Sequence, residues 1–186
     1  MNYIINFFKH FHTINKHRWY VFLYCVKAGI PFRGLVHDLS KYSPVEFFEG
    51  VKYYNGHESP INFAKIEKGY SYARLHHKGR NKHHFEYWED INETERYGVF
   101  IPYKYIVECI CDRLAAGKVY LGKNFNNKEP LEYWNNNKKK GLIKIHPGII
   151  EFIETVLTKI SVDGIDASLN SKYLKKTYYE IRKKYQ

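Results

Sequence analysis

Histidine and aspartate recur between residues 17 and 112 in an order typical of a metal site. Imidazole and carboxylate are good ligands of first-row transition metals. A cluster of both without cysteine favours Mn, Fe, Co, Ni or Zn over a thiolate site. We therefore expect one or two divalent ions of this kind as the cofactor. The predicted metal ligands are His17, His37, Asp38, His76, His77 and Asp112.

Two of these aspartates lie in apolar stretches, where an ionised carboxylate needs a partner. Asp38 follows His37 in GLVHDLSK, and Asp112 lies in YIVECICDRLAAG, which its apolar spacing predicts to be a mostly buried helix. Arg113 points about 100° away from Asp112 on such a helix, so it is not the obvious partner. A shared metal would compensate both carboxylates. The alternatives are a solvated helix end for the pair and a tyrosine hydrogen bond for Asp112.

Two pairs of adjacent histidines can each bind one site only if both side chains of the pair point toward it. Neighbouring residues on a helix point about 100° apart, so His76 and His77 both reach one site only near a helix end, which Gly79 can supply. His83 and His84 could complete a second metal site, contact a substrate phosphate, or only begin the helix FEYW.

Several cations are candidates to bind substrate. Lys41 and Arg18 could hold an anionic group such as a phosphate, since a fixed cation offsets its negative charge. A solvated side chain is the alternative for both. Lys78, Arg80 and Lys82 surround the second group of histidines and would meet an anionic ligand with positive charge.

Helix signals dominate the elements that must position these residues. A helix is predicted from about Asn15 to Gly29, with Pro31 beyond its end. Ser43 and Pro44, with Glu46 three residues after the serine, form the pattern of a capping box. Further helix starts are predicted at Ser59-Pro60, Ile101-Pro102 and His146-Pro147.

These signals predict an all-α fold of about six to eight helices, and the sequence offers no paired strands joined by a hairpin dipeptide. We expect one domain over residues 1–186, with a core at about 15–122 and a helical extension at about 123–186. The Asn- and Lys-rich residues 124–140 are predicted to be a surface excursion. The final helix, around Tyr173 to Tyr185, is amphipathic enough to dock on the rest.

Composition limits the partners and the compartment. The formal net charge of +11 favours anionic partners such as nucleotides or nucleic acid, although a solvated basic surface is the commoner outcome. Three cysteines form no CxxC pattern, which is typical of a reducing, cytoplasmic protein. The N-terminal MNYIINFFKHFH is too briefly apolar to be a secretory or spanning segment, so no membrane is expected. The many Tyr and Phe residues are consistent with a homodimer.

The order of ligands resembles the HD-domain superfamily of metal-dependent phosphohydrolases, an all-helical fold with the pattern H…HD…D. Four stretches carry the likeness across about residues 15–122: HRWYV, LVHDLSK, YARLHHKGRN and YIVECICDRLAAGKVY. The chain lacks the GYP element of the cyclic-dinucleotide phosphodiesterases. With HDLSK and HHxxxNxHHxEYW, it looks more like an uncharacterised HD-like family of bacteria and phages.

The resemblance implies hydrolysis of a nucleotide or other small phosphorylated molecule by a metal-activated water. The catalytic residues expected from it are Asp38, Lys41, His83 and His84. Glu46 or Glu86 could orient ligand imidazoles from outside the site. Two other functions remain open: a di-iron oxygenase of the same fold, and a module that binds nucleic acid or protein and keeps a structural metal.

Overall fold

A computed structural model describes residues 2–139 and 144–186. In these residues the chain forms ten α-helices and one two-stranded hairpin, so the all-α prediction is confirmed. The helices are α1 Tyr3–Lys27, α2 Pro31–Val36, α3 Pro44–Lys52, α4 Pro60–Lys68, α5 Tyr72–Arg80, α6 Tyr103–Leu121, α7 Glu129–Lys139, α8 Pro147–Asp163, α9 Ile165–Ser168 and α10 Ser171–Lys184. Eight of them have nine residues or more, and α2 and α9 account for the excess over the predicted number.

Proline fixes where several helices begin. Pro44, Pro60 and Pro147 each occupy the first position of a helix, as predicted, because their fixed φ suits the first turn and their missing N–H has no partner there anyway. The first helix is longer than predicted. It begins at Tyr3 rather than near Asn15, and the side chain of Asn2 caps it by accepting a hydrogen bond from the Ile5 amide.

The hairpin was not predicted from the sequence. Strands β1 (Glu89–Ile91) and β2 (Arg96–Gly98) pair antiparallel, with Glu89 opposite Gly98. The side chain of Asn92 closes the connection by accepting hydrogen bonds from two backbone amides of the turn. Three-residue strands are too short for an alternating pattern to be visible in the sequence.

One apolar core joins α1, α6, α8 and α10, so the C-terminal helices pack on the same core as the helices that carry the predicted ligands. Residues 124–139 are not the predicted surface excursion, because most of them form α7 and Trp134 is fully buried. Its indole nitrogen donates to Glu154 Oε1 at 3.1 Å. Lys140, also included in that prediction, lies outside the described residues. None of the described helices is long and apolar enough to cross a membrane.

Candidate metal centre

Asp38 occupies an unusual turn between α2 and a 3-10 turn at Leu39–Tyr42. It is the only non-glycine residue of residues 2–139 and 144–186 with a positive φ, at φ 52° and ψ 28°. A left-handed conformation is uncommon for a side-chain residue, and aspartate and asparagine tolerate it best. The turn places the carboxylate of Asp38 in the interior, where the residue is 1% exposed.

Arg18 holds this turn in place. Its Nε donates to the carbonyl of His37 at 2.8 Å, Nη2 donates to the carbonyl of Leu35 at 2.9 Å, and Nη1 lies 3.1 Å from the hydroxyl of Tyr42. The guanidinium is therefore occupied by the protein itself. Arg18 has a structural role here in place of the phosphate contact predicted from the sequence.

The first group of candidate ligands combines His17, His37, Asp38 and Asp112, which offer ligand atoms within 4.8 Å of one another. His17 comes from α1 and Asp112 from α6, and their Nε2 and Oδ1 atoms are 3.0 Å apart. His37 Nε2 lies 3.3 Å from Asp38 Oδ2 and 3.5 Å from Asp112 Oδ1. Residues separated by up to 95 positions thus converge at one point.

A second group lies on the opposite oxygen of Asp38. His77 Nε2 and His83 Nε2 are 3.3 and 3.4 Å from Asp38 Oδ1. His77, His83 and His84 also offer nitrogen atoms within 4.8 Å of one another. Asp38 therefore lies between two groups of histidines, with one oxygen directed to each.

The hydrogen bonding of this cluster is incomplete. In the part of the chain that the structure describes, both oxygens of Asp38 and the Nε2 atoms of His17, His37, His83 and His84 are buried without a hydrogen-bond partner. Lys41 Nζ, 2.6 Å from Asp38 Oδ2, is a charge partner for that oxygen. Buried polar atoms left unpaired each cost about 1–3 kcal/mol. Lone pairs on imidazole and carboxylate that meet at common points suit divalent transition metals, so the residues fit one or two such ions.

Two further carboxylates contact the Nδ1 atoms of candidate ligands, on the side of each imidazole ring away from the cluster. Glu46 accepts from His77 Nδ1 at 2.7 Å, and Glu108 accepts from His37 Nδ1 at 3.0 Å. A carboxylate beside Nδ1 favours the tautomer whose other nitrogen, Nε2, can bind a metal. Without a metal, Asp38, Asp112 and Glu108 outweigh burial and raise the pKa of His37 well above its usual value, so a metal would displace a proton from its Nε2. Glu108 is fully buried, and Arg33 Nε donates to its other oxygen at 2.7 Å.

Glu46 explains why His76 is not brought into the cluster. Its second oxygen is 2.6 Å from His76 Nδ1, and His76 belongs to neither group of candidate ligands. The two neighbouring histidines lie in the middle of α5 rather than at its end, so their rings cannot both point inward. The capping box predicted at Ser43 does not form either, since Ser43 makes no side-chain cap and Glu46 serves the histidines instead.

Glu108 was missed by the sequence analysis, although a signal for it exists. It precedes Asp112 by four residues on α6 and so lies on the same face of that helix. Glu86, the other residue suggested to orient ligands, forms an ion pair with Arg74 instead.

The charges of the cluster follow from these contacts. Burial alone would raise the pKa of Asp38, but His37 and Lys41 beside it hold that pKa well below its usual range. Burial likewise opposes ionisation of Glu108, yet hydrogen bonds from His37, His83 and Arg33 lower its pKa to about 2. Burial and the neighbouring His83 lower the pKa of His84 well below its usual value. At neutral pH the site therefore contains ionised carboxylates and a neutral His84.

A cavity of about 280 Å³ opens beside the cluster. Its walls include Asp38, His17, His77, His84 and Asp112, which makes the candidate ligands accessible to a small molecule. The cations among its described lining residues are Lys41 and Arg74, and the sequence analysis did not single out Arg74. Lys78, Arg80 and Lys82, which were predicted to meet an anionic ligand with positive charge, do not line this cavity.

Comparison with known proteins gives a family but no function. A model described as a family of unknown function, DUF5662, matches residues 6–159. This span contains all the residues of both ligand groups together with Glu46 and Glu108. No curated protein and no solved structure matches the chain.

Proposed function

Since the chain belongs to the DUF5662 family of unknown function, its activity has to be inferred from the site, and we propose that it is a metal-dependent phosphohydrolase. The proposed substrate is a nucleotide or another small phosphorylated molecule. The proposed cofactor is one or two divalent ions among Mn, Fe, Co, Ni and Zn, held by His17, His37, Asp38, His77, His83 and Asp112.

The observation that carries the proposal is the position of Asp38. Its two oxygens face different histidines at 3.3–3.4 Å; Oδ1 accepts no hydrogen bond from a described residue, and Oδ2 is paired only with Lys41 Nζ. A carboxylate arranged in this way can bridge two cations. The αL turn and the hydrogen bonds of Arg18 hold it there, and strain of this kind is concentrated at functional sites.

The chemistry follows from the residues around the cavity. A divalent ion supplies a Lewis acid that lowers the pKa of a water molecule and polarises a phosphoryl oxygen. Lys41 and Arg74 line the cavity, each beside one carboxylate (Asp38 and Glu86), and their remaining N–H groups can offset the charge that grows on the phosphoryl oxygens. Glu46 and Glu108 fix the imidazoles of His77 and His37, so the ligand geometry is set before substrate arrives.

The remaining walls of the cavity suit the organic part of a small substrate. Ile14, Tyr120 and Tyr133 line it together with Thr13 and Ser59. Pockets that bind small molecules are typically of a few hundred cubic ångströms, mainly apolar with a few polar groups. The volume of about 280 Å³ is at the lower end of that range, which favours a small phosphate ester over a polymer.

The direct test is metal-dependent phosphate release. Metal-free protein is reconstituted with each of the five metals and incubated anaerobically with nucleoside monophosphates and p-nitrophenyl phosphate. We expect phosphate release from the wild type and a loss of at least about 100-fold in Asp38→Asn, because the substitution removes a charge shared by both ligand groups. Asp166→Asn, the same chemical change at a residue whose side chain is 84% exposed, is the matched control.

The other functions predict different results in the same experiment. A di-iron oxygenase would be inactive without oxygen and would consume oxygen only when loaded with iron. A binding module would release no phosphate with any metal, and Asp38→Asn would retain salt-dependent binding to nucleic acid. Either pattern in metal-loaded protein would contradict the phosphohydrolase.

A further inference from the structure

The solvent side of α1 carries an apolar stripe that the rest of the described chain leaves uncovered. Ile4, Phe8 and Trp19 are 69%, 65% and 58% exposed, and Phe11 and Val26 are nearly half exposed. Isolated exposed apolar residues are normal, but a contiguous face of this kind usually marks an interaction site. The stripe is formed by Ile4, Phe8, Phe11, Asn15, Trp19, Phe22 and Val26.

The seven residues of the stripe lie on one face of α1. At 100° per residue they occupy a sector about 80° wide, and the stripe runs for about 33 Å along the helix. The buried face of α1, which carries His10 and His17, points in a different direction. The stripe therefore does not take part in the metal centre.

Helix α2 widens this face. Gly34 packs so closely on α1 that an added Cβ would lie 2.8 Å from the Cα of Phe22, which places α2 beside the stripe. Phe32 and Leu35 of α2 are 69% and 60% exposed, and Leu39 follows them in the next turn. With about 200 Å² for a whole aromatic side chain, the exposed parts of the face amount to roughly 800 Å². One partner contributes about this area to an interface of standard size.

The spacing of the stripe is symmetric. From Ile4 to Val26 the steps are 4, 3, 4, 4, 3 and 4 residues, which read the same from either end. Asn15 lies at the centre. We propose that the protein is a homodimer in which α1 pairs with α1 of a second copy, antiparallel, about a two-fold axis at Asn15. Phe11 then faces Trp19 of the other copy, Phe8 faces Phe22, and Ile4 faces Val26.

Asn15 can occupy the centre without leaving a polar group unpaired. Its Nδ2 donates to the carbonyl of Phe11 at 2.9 Å, and its Oδ1 accepts from the hydroxyl of Tyr42 at 2.8 Å. One donor and the acceptor of the side chain are thus satisfied within one copy. The second N–H of Nδ2 remains, and at the two-fold axis it faces Asn15 of the other copy, whose Oδ1 has a further lone pair to accept it.

The charges on each copy determine whether added salt strengthens or weakens the proposed dimer. His12 and Lys16 lie beside the stripe on α1, with Lys9 beyond them, and each copy carries a formal net charge of +11. Like charges oppose association of two copies, so screening strengthens the dimer as salt rises from about 0.1 M to 1 M. An anionic membrane covering the same face would show the opposite sign, because its attraction to the lysines is screened.

The first test is sedimentation velocity at about 100 μM, above the weakest Kd usual for an interface of this size. The wild type should sediment with twice the mass of the chain. Trp19→Glu should dissociate at least about 100-fold more readily, since two carboxylates enter an apolar centre. Val162→Glu is the control, because Val162 is an equally apolar, 78% exposed residue on α8. It should remain dimeric.

The second test fixes the orientation. Asn15→Cys meets itself at the two-fold axis and should form a disulfide-linked dimer under mild oxidation, since the two Cα atoms lie within disulfide reach. Phe8→Cys faces Phe22 rather than itself and should cross-link no faster than random collision allows. The native Cys25, Cys109 and Cys111 are buried and do not compete.

Three results would overturn the proposal. A monomeric wild type, a Trp19→Glu variant as dimeric as Val162→Glu, or equal cross-linking at positions 8 and 15 would each contradict the antiparallel pair. A monomer that binds phosphatidylserine vesicles through Trp19, more weakly at high salt, would assign the face to a membrane surface instead.

Discussion

The apolar core and the candidate metal centre treat buried polar atoms in opposite ways. In the core, the hydroxyl of Tyr178 donates to the carbonyl of Ile101 at 2.8 Å, and the indole of Trp134 donates to Glu154. Among the described residues, twelve buried side-chain nitrogen and oxygen atoms lack a hydrogen-bond partner. Seven of these belong to the metal centre, and the other five are scattered over five residues. The seven are in His17, His37, Asp38, His83 and His84.

This difference separates stability from function. A folded chain gains little from unpaired polar atoms and pays about 1–3 kcal/mol for each one. The core therefore has to stabilise the fold, and the fold in turn holds the metal centre in an arrangement that is unfavourable without a ligand. Substitutions in the core should change stability with little effect on metal binding. Substitutions in the centre should do the reverse.

The largest expected effect is on stability and comes from the core. Trp134→Ala removes a fully buried indole that contacts Phe85 edge to face and lies under the Arg113 guanidinium. The free energy of unfolding should fall by about 3–5 kcal/mol, measured by urea denaturation. Val162→Ala, on an exposed face, should change it by less than about 0.5 kcal/mol. Loss of metal from the folded fraction of Trp134→Ala would show that the two regions are not separable.

His10 lies beside the metal centre, against a small apolar cluster that is separate from the main core, and it should make stability depend on pH. It is buried against Phe47 and lines the cavity. Burial and the nearby Lys41 lower its pKa from 6.5 to about 4. The unfolded chain therefore binds a proton that the folded chain rejects, and stability is lost as pH falls from about 6.5 to 4.

The size of this effect is on the order of 3 kcal/mol, from about 1.4 kcal/mol for each unit of pKa difference. Metal-free wild type should lose that much more unfolding free energy than His10→Gln between pH 7 and pH 4. The variant shares every other titrating group, so it isolates His10. Equal losses in the two proteins would contradict the assignment.

The next effect is a loss of metal affinity when Glu108, which hydrogen-bonds a ligand histidine, is replaced. Glu108→Gln keeps the shape but weakens the hold on His37 Nδ1, and loss of such partners usually costs 10–100-fold in metal affinity. Competition with a chelator should measure a loss in that range. Glu67→Gln, the same change at an exposed residue, should bind metal like the wild type. A loss of binding equal to that of Asp38→Asn would instead make Glu108 a ligand.

The smallest effect should come from the cations that do not line the cavity. Replacing Lys78, Arg80 and Lys82 together by alanine should change phosphate release by less than about 2-fold, because these residues do not line the cavity. Arg74→Ala, at a lining cation, should lower it by at least about 10-fold. A larger loss of phosphate release in the triple variant than in Arg74→Ala would instead support the sequence prediction that Lys78, Arg80 and Lys82 meet the anionic ligand.

The sequence was sufficient where a local rule applies. Pro44, Pro60 and Pro147 mark helix starts because proline suits the first helical position. His37, Asp38 and Asp112 could be singled out because a charge in an apolar stretch needs compensation, and this holds without knowledge of the fold.

The rest depended on tertiary contacts that no local pattern contains. In the sequence, Arg18 is a cation with no evident partner. In the structure, its guanidinium donates hydrogen bonds to two carbonyls of the Asp38 turn. The ring of His76 is turned by Glu46, thirty residues earlier. Trp134 is a large buried side chain in a stretch whose Asn and Lys residues suggest a surface.

Asp38 is the central residue of the proposed metal centre, and elemental analysis tests directly whether it holds a metal. Protein purified without a polyhistidine tag is measured as wild type, Asp38→Asn and Asp166→Asn. Asparagine also tolerates the αL turn, so the variant should fold. We predict one or two equivalents of Mn, Fe, Co, Ni or Zn in the wild type and in Asp166→Asn, and none in Asp38→Asn. A folded wild type without metal after reconstitution, or a full complement in Asp38→Asn, would contradict the metal centre.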